Sequence, residues 1–320
     1  MDRSVVYTGG VLDGIDALID INGFDQTSNG VVAVREIDTL NIDDTNDANG
    51  DTGTNTIGLL DRTEVEERTQ VSGFDLSNNG ITYFGVEVVN FDLGATDSNV
   101  VIDSTGLLDD ITLNMNDGED ALAVFTINGP LTVSLGAGDD TAVISDTVAG
   151  ANTVNGILYG LLTITGGGNN DDLLVNDGGD IASDRKNVLS ATRITGFGMT
   201  QGIDYAGFEN LTLETSDGNN EIHVADTHAG TTTLITGDED VPSQLAIVSD
   251  VVNIENISGD LTVLLGQGND IVRVNYNANG KQTSLNGLDS GDLDNPYILS
   301  LDGEAGSDFY EVGLAGSGVS

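Results

Sequence analysis

Apolar and polar positions alternate over short runs along most of this chain. In LTVSLGAGDDTAVISD, Leu131, Val133 and Leu135 are separated by Thr132 and Ser134, a turn GAGDD follows, and a second alternating run begins at Thr141. A period of two places successive side chains on opposite faces, so each run predicts a strand with one buried face. The runs are short and rich in Val, Ile, Leu and Thr, and Gly, Asn and Asp bound them, as strand ends require. No long window sustains a helical period.

The run, turn and run recur. Copies start at Ile111 (ITLNMNDGEDALAV), Leu131, Leu162 (LTITGGGNNDDLLV), Leu211 (LTLETSDGNNEIHV), Thr232 (TTLITGDED), Leu261 (LTVLLGQGNDIVRV) and, more loosely, Leu299 (LSLDGEAGSDFYEV). The turn positions Gly118, Gly138 and Gly168 recur 100 residues later as Gly218, Asp238 and Gly268, which gives two internal units, 111–176 and 211–276. A second motif carries a Gly-Phe pair at Gly23/Phe24, Gly73/Phe74 and Gly196/Phe197, and each copy ends in an apolar alternation: Leu40 and Ile42, Val89 and Phe91, Leu211 and Leu213. Repeats of about 20 to 30 residues with glycine corners fit stacked strands better than a compact core. The predicted fold is all-β, a right-handed parallel β-helix or β-solenoid forming one elongated domain over 10–315, with a loop excursion at 178–193. A β-sandwich is the structural alternative.

Charge then narrows the chemistry. The chain of 320 residues holds 53 Asp and Glu against nine Lys and Arg, a formal charge of −44. Such a field repels nucleic acid and anionic membrane surfaces and attracts cations. With no cysteine, the chain has neither disulfides nor thiolate metal sites. No stretch approaches a membrane-spanning length or a secretory signal, and the piece is expected to belong to a longer protein.

The acids gather at the turns. If equivalent turns stack about 4.8 Å apart, their carboxylates face one another, and neighbouring unit charges repel by about 1 kcal/mol even in water. Calcium would offset that repulsion, since it takes carboxylate and carbonyl oxygens at about 2.3–2.6 Å. The candidate ligands are Asp139, Asp140, Asp171, Asp172, Asp217, Asn219, Asn220, Asp238, Asp240, Asn269 and Asp270.

On those residues the chain resembles a known family. GAGDDTAVI and GQGNDIVRV look like the glycine- and aspartate-rich turns of haemolysin-type RTX proteins. The resemblance implies a calcium-loaded structural or adhesive segment of a large secreted or surface-displayed microbial protein. Its liganding aspartate maps onto Asp140 and Asp270, less cleanly onto Asp172, and onto Asn220 only through an amide oxygen. RTX nonapeptides run in tandem, whereas here one turn is followed by a long connection, so a true β-roll is not predicted.

Other readings use the same residues. Asp, Asn and Gly are what turns prefer for backbone reasons alone, and a uniformly acidic surface could be a halophilic adaptation. Parallel β-helices also carry polysaccharide-binding and polysaccharide-cleaving sites. The bases available for that chemistry are His223, His228, Arg185, Lys186 and Arg193, and none falls in a catalytic or zinc motif. The expected function is therefore an extracellular or cell-surface, calcium-stabilised stalk, surface-layer or matrix segment, not an enzyme. A polysaccharide-directed β-helix is the alternative, and glycans or self-association through terminal coils are the partners left open.

Overall fold

The computed structural model describes residues 12, 19–23, 37–62, 67–76, 80–107, 109–146, 152–155, 159–237, 249–282 and 297–313. Two compact units divide the chain: Met1–Val143 with Gly156–Asp171, and Ile144–Asn155 with Asp172–Ser320. Among the described residues there is no helix.

The first unit contains β1 (Ile19–Asn22), β2 (Thr39–Asp43), β3 (Asn55–Arg62), β4 (Glu67–Ser72), β5 (Ile81–Phe84), β6 (Val88–Asp92), β7 (Asn99–Ile102), β8 (Asp110–Asn114), β9 (Ala121–Val124), β10 (Leu131–Ala137), most of β11 (Thr141–Ile144), and β12 (Leu162–Gly168). One sheet runs β1-β5-β4-β3-β7-β9-β11 and the other β2-β6-β8-β10-β12. From β6 onward successive strands alternate between the two sheets. The second sheet is parallel throughout, with Leu131 opposite both Ile111 and Leu162, and Val133 opposite both Leu113 and Ile164. The tails of the first two Gly-Phe motifs pair directly, Leu40 with Val89 and Ile42 with Phe91.

The second unit contains β13 (Asp172–Asn176), β14 (Asn187–Leu189), β15 (Arg193–Thr195), β16 (Ile203–Ala206), β17 (Asn210–Thr215), β18 (Glu221–Val224), β19 (Thr231–Thr236), β20 (Val251–Ile254), β21 (Asp260–Leu264), β22 (Gln267–Gly268), β23 (Ile271–Val274), β24 (Leu299–Asp302), β25 (Ala305–Gly306) and β26 (Phe309–Val312). Its sheets run β13-β17-β19-β21-β24 and β16-β15-β14-β18-β20-β23-β26, with β22 and β25 as a short pair. The segment expected as a loop excursion holds β14 and leads into β15. Each unit therefore has one antiparallel three-stranded insertion, β3-β4-β5 and β14-β15-β16.

Alternation translates into burial as the period predicts. In β10 the residues at Leu131, Val133 and Leu135 are at most 1% exposed, while Thr132 faces solvent. Parallel register then stacks like on like: Ile222, Val252 and Val272 form one buried column, and Val224, Ile254 and Val274 another. Each such side chain contributes about 1.5–3 kcal/mol by leaving water. Turns stack as tightly as strands. A Cβ on Gly136 would lie 1.5 Å from the Asn116 carbonyl oxygen, and one on Gly138 would lie 1.6 Å from that of Gly118, so the GAG turn admits nothing larger. The chain is thus all-β, with long and largely parallel sheets.

Candidate cation sites

The turn acids are arranged in columns, and their first role is to bond the backbone of the neighbouring turn. In the first unit the N–H of Ser98 donates to Asp120 Oδ1 (2.7 Å), that of Asp120 to Asp140 Oδ1 (2.8 Å), and that of Asp140 to Asp171 Oδ1 (3.0 Å). In the second unit the N–H groups of Asp184, Asn220, Asp250 and Asp270 donate in the same direction to Asn220, Asp250, Asp270 and Asp308, at 2.7 to 3.2 Å. The residue just before three of these rungs bonds in the opposite sense. Asp139 Oδ1 accepts from the N–H of Asn170, Asn219 Oδ1 from Ser249, and Asn269 Oδ1 from Ser307. Two adjacent polar residues thus join three successive turns, which is what the paired aspartates of GAGDD accomplish.

This arrangement leaves charge in the interior. Asp120, Asp140 and Asp270 are 1–2% exposed, one carboxylate oxygen of each accepts the rung bond, and the other has no hydrogen-bond donor. Burial pushes the Asp120 carboxyl up to about 7, helped by the carboxylates of Asp140, Asp97 and Asp117 and opposed by the Ser98 N–H. Burial and the neighbouring Asp270 likewise raise Asp250 to about 7. Asp140 and Asp270 shift upward for the same first cause. Asn220 is the exception that shows what would satisfy the second position. Its amide nitrogen donates to Ser216 O (2.6 Å), Gly218 O (3.1 Å) and Thr215 Oγ1 (3.2 Å).

Of the other predicted ligands, Asp172 Oδ1 accepts from Asn210 Nδ2 (2.7 Å), and the Asp217 N–H donates to Asp180 O (2.8 Å). Asp238 and Asp240 lie outside the described residues. The structure brings the turn acids together as stacked pairs. It places three-carboxylate clusters elsewhere, at Asp44, Asp47 and Asp51 and at Asp177, Asp180 and Asp184; in each, one oxygen per residue lies within 4.8 Å of the others. The first cluster is buried throughout, at 1%, 5% and 4% exposure, and Asp177 is fully buried. These clusters could hold a metal ion.

Neither cluster was among the residues picked out from the sequence. The signal was present: DTNDANGD and DGGDIASD share the spacing Asp-x-x-Asp-x-x-x-Asp, and each precedes a Gly-Phe pair. Both spacings fall outside the recurring run-turn-run copies, so the repeat does not mark them.

Three of the five bases have structural partners. Arg193 pairs with Asp204 across the β15-β16 hairpin, His223 Nε2 lies 2.9 Å from Glu255 Oε2, and His228 Nδ1 is 3.1 Å from Thr232 Oγ1. Lys186 and His223 also line one groove with Glu221 and Asn253. Comparison with models of known protein families, with curated proteins and with solved structures finds no match.

Proposed function

We propose that this chain is a calcium-stabilised structural or adhesive repeat segment of an extracellular protein. In this reading it is a parallel β-solenoid whose turns are a divergent, non-tandem relative of RTX repeats. The observation that carries the reading is the set of buried carboxylates whose second oxygen has no donor, in a chain with a formal charge of −44. Buried acceptors facing no donor are costly, and a hard cation with oxygen ligands relieves them. In-register parallel strands and an interior of stacked Val, Ile and Leu suit a spacer or stalk.

Thermal unfolding followed by circular dichroism tests this, with calcium and after chelation at fixed ionic strength. An ion that binds only the folded chain stabilises it by about 2.7 kcal/mol per site at a hundred times its dissociation constant. A rise with calcium that magnesium does not reproduce is expected. An unchanged transition would sink the reading.

The groove at Lys186, His223 and Asn253 favours a second reading, a site for a polar saccharide on the β14-β18-β20 face. Glycan binding abolished by His223→Ala would support it.

A further inference from the structure

The two acid clusters are copies of one device. Beyond their shared spacing, the backbone makes the same bonds in both. The second acid donates its N–H to the carbonyl of the first, Asp47 to Asp44 (2.9 Å) and Asp180 to Asp177 (3.0 Å). The first acid accepts from a distant N–H, Leu12 to Asp44 Oδ1 (2.7 Å) and Val154 to Asp177 Oδ1 (3.0 Å).

The third acid stands at the head of the turn column of its unit. The carbonyl of Asp51 accepts the N–H of Asn99 (3.0 Å), and that of Asp184 accepts the N–H of Glu221 (2.9 Å), as the carbonyls of Asp120 and Asp250 do further along. Each cluster is then followed by an asparagine that begins the antiparallel insertion. Asn55 Nδ2 donates to Asp51 O and its Oδ1 accepts from Phe74 N–H; Asn187 Nδ2 donates to Asp184 O and its Oδ1 accepts from Phe197 N–H. Phe74 and Phe197 are both buried and both in the left-handed region, at φ of 51° and 50°. The Gly-Phe motif is therefore the far end of the same module.

In both clusters carboxylates face one another; the middle acid accepts the N–H two residues on, Asn49 to Asp47 Oδ1 (2.9 Å) and Ala182 to Asp180 Oδ1 (2.8 Å), and Asp180 Oδ2 also accepts from Asn155 Nδ2 (3.2 Å). Asp47 Oδ2 and Asp51 Oδ1 in the first, and Asp177 Oδ2 and Asp184 Oδ2 in the second, have no hydrogen-bond partner, and Asp47, Asp51 and Asp177 are all at least nine-tenths buried. From these features we infer that Asp44/Asp47/Asp51 and Asp177/Asp180/Asp184 are two equivalent sites for a hard divalent cation, calcium in preference to magnesium. The ligand atoms are carboxylate oxygens, which suit hard ions. Calcium accepts several protein oxygens in flexible geometry, whereas magnesium demands a near-ideal octahedron and keeps several of its waters, so three chain carboxylates suit calcium better. The ion would tie the end of the incoming strand, β2 or β13, to the start of the insertion, β3 or β14, and so fix where each parallel array begins.

This inference rests on the cation-stabilised reading but can fail separately. Calcium alone is titrated calorimetrically into the full chain after chelation, for the parent and for Asp47→Asn, Asp180→Asn, the double variant and the exposed β8 variant Asp110→Asn. Two sites are expected in the parent, one in each single variant, none in the double variant and two in Asp110→Asn. Affinity at an altered site should fall by at least the ~10–100-fold that loss of an outer-shell partner costs. Retention of both sites in the double variant, folded by far-ultraviolet circular dichroism, would overturn the assignment while leaving calcium binding in place. Calcium bound at both triads without any rise in unfolding temperature would keep the assignment and overturn the structural role. No binding by the parent would overturn both. If the double variant does not fold, the loss of one site in each single variant decides the matter.

Discussion

Replacing Asp120 by asparagine should stabilise this protein at alkaline pH and leave it nearly unchanged in acid. The Asp120 carboxyl is 2% exposed and accepts one backbone N–H, and its second oxygen has no donor. Its pKa stands at about 7 against an ordinary 3.8. At about 1.4 kcal/mol per unit that difference is up to about 4 kcal/mol, and roughly half of it after solvent screening at the corner. The sign follows from linkage. A carboxyl whose folded pKa is raised contributes fully below the unfolded value near 4 and loses that contribution as pH climbs to about 7. Asparagine keeps the rung acceptor and supplies a donor where Asn220 already uses one, without a charge to bury. Urea unfolding in chelator should therefore show Asp120→Asn more stable by about 1–2 kcal/mol at pH 8 and within error of the parent at pH 4.5. Equal effects at both pH values, or destabilisation at pH 8, would refute the argument. A loss that appears only with calcium would make Asp120 a ligand.

The same linkage predicts that the chelated parent loses stability between about pH 4 and pH 8, because Asp51, Asp120, Asp177 and Asp250 all carry raised pKa values; a flat profile in chelator would contradict it. Gly136→Ala should destabilise by more than about 2 kcal/mol in urea unfolding, since its Cβ meets a carbonyl oxygen at 1.5 Å and its φ is 117°. Thr227 Oγ1 accepts the N–H groups of Ser258 and Gly259, both at 3.0 Å, so Thr227→Val should cost about 2–4 kcal/mol by the same assay and Thr227→Ser much less. Asn187→Ala removes the acceptor for the buried Phe197 N–H and should cost about 1–3 kcal/mol, read as faster proteolysis across 187–206.

Strands were legible from sequence because burial imposes a period of two that each run displays locally, as in LTVSL, whose alternation became the buried column beside Ile111 and Leu162. The turn residues were legible as a class but not in their partners. Asp140 bonds Asp120 and Asp171, residues 20 and 31 positions away, and only stacking brings them together. The rung equivalent to Asp140 in the second unit is a matter of register too: Asp250 takes it, in SDVVNI, where no glycine precedes it to advertise a turn. The Gly-Phe pairs stood out, but what they do depends on Asn55 and Asn187, 19 and 10 residues upstream. The antiparallel insertions were not foreseen, since period two is the same for parallel and antiparallel strands.

The turn columns have a bearing on how such a chain can change over generations. A rung needs one side-chain oxygen and one N–H, and the sequence between consecutive rungs varies from 20 to 38 residues without altering that bond. Segments between rungs can therefore be lengthened, shortened or exchanged while the corner that registers them stays the same. Descendants of one ancestral repeat could drift in length until their kinship is invisible to alignment and still stack.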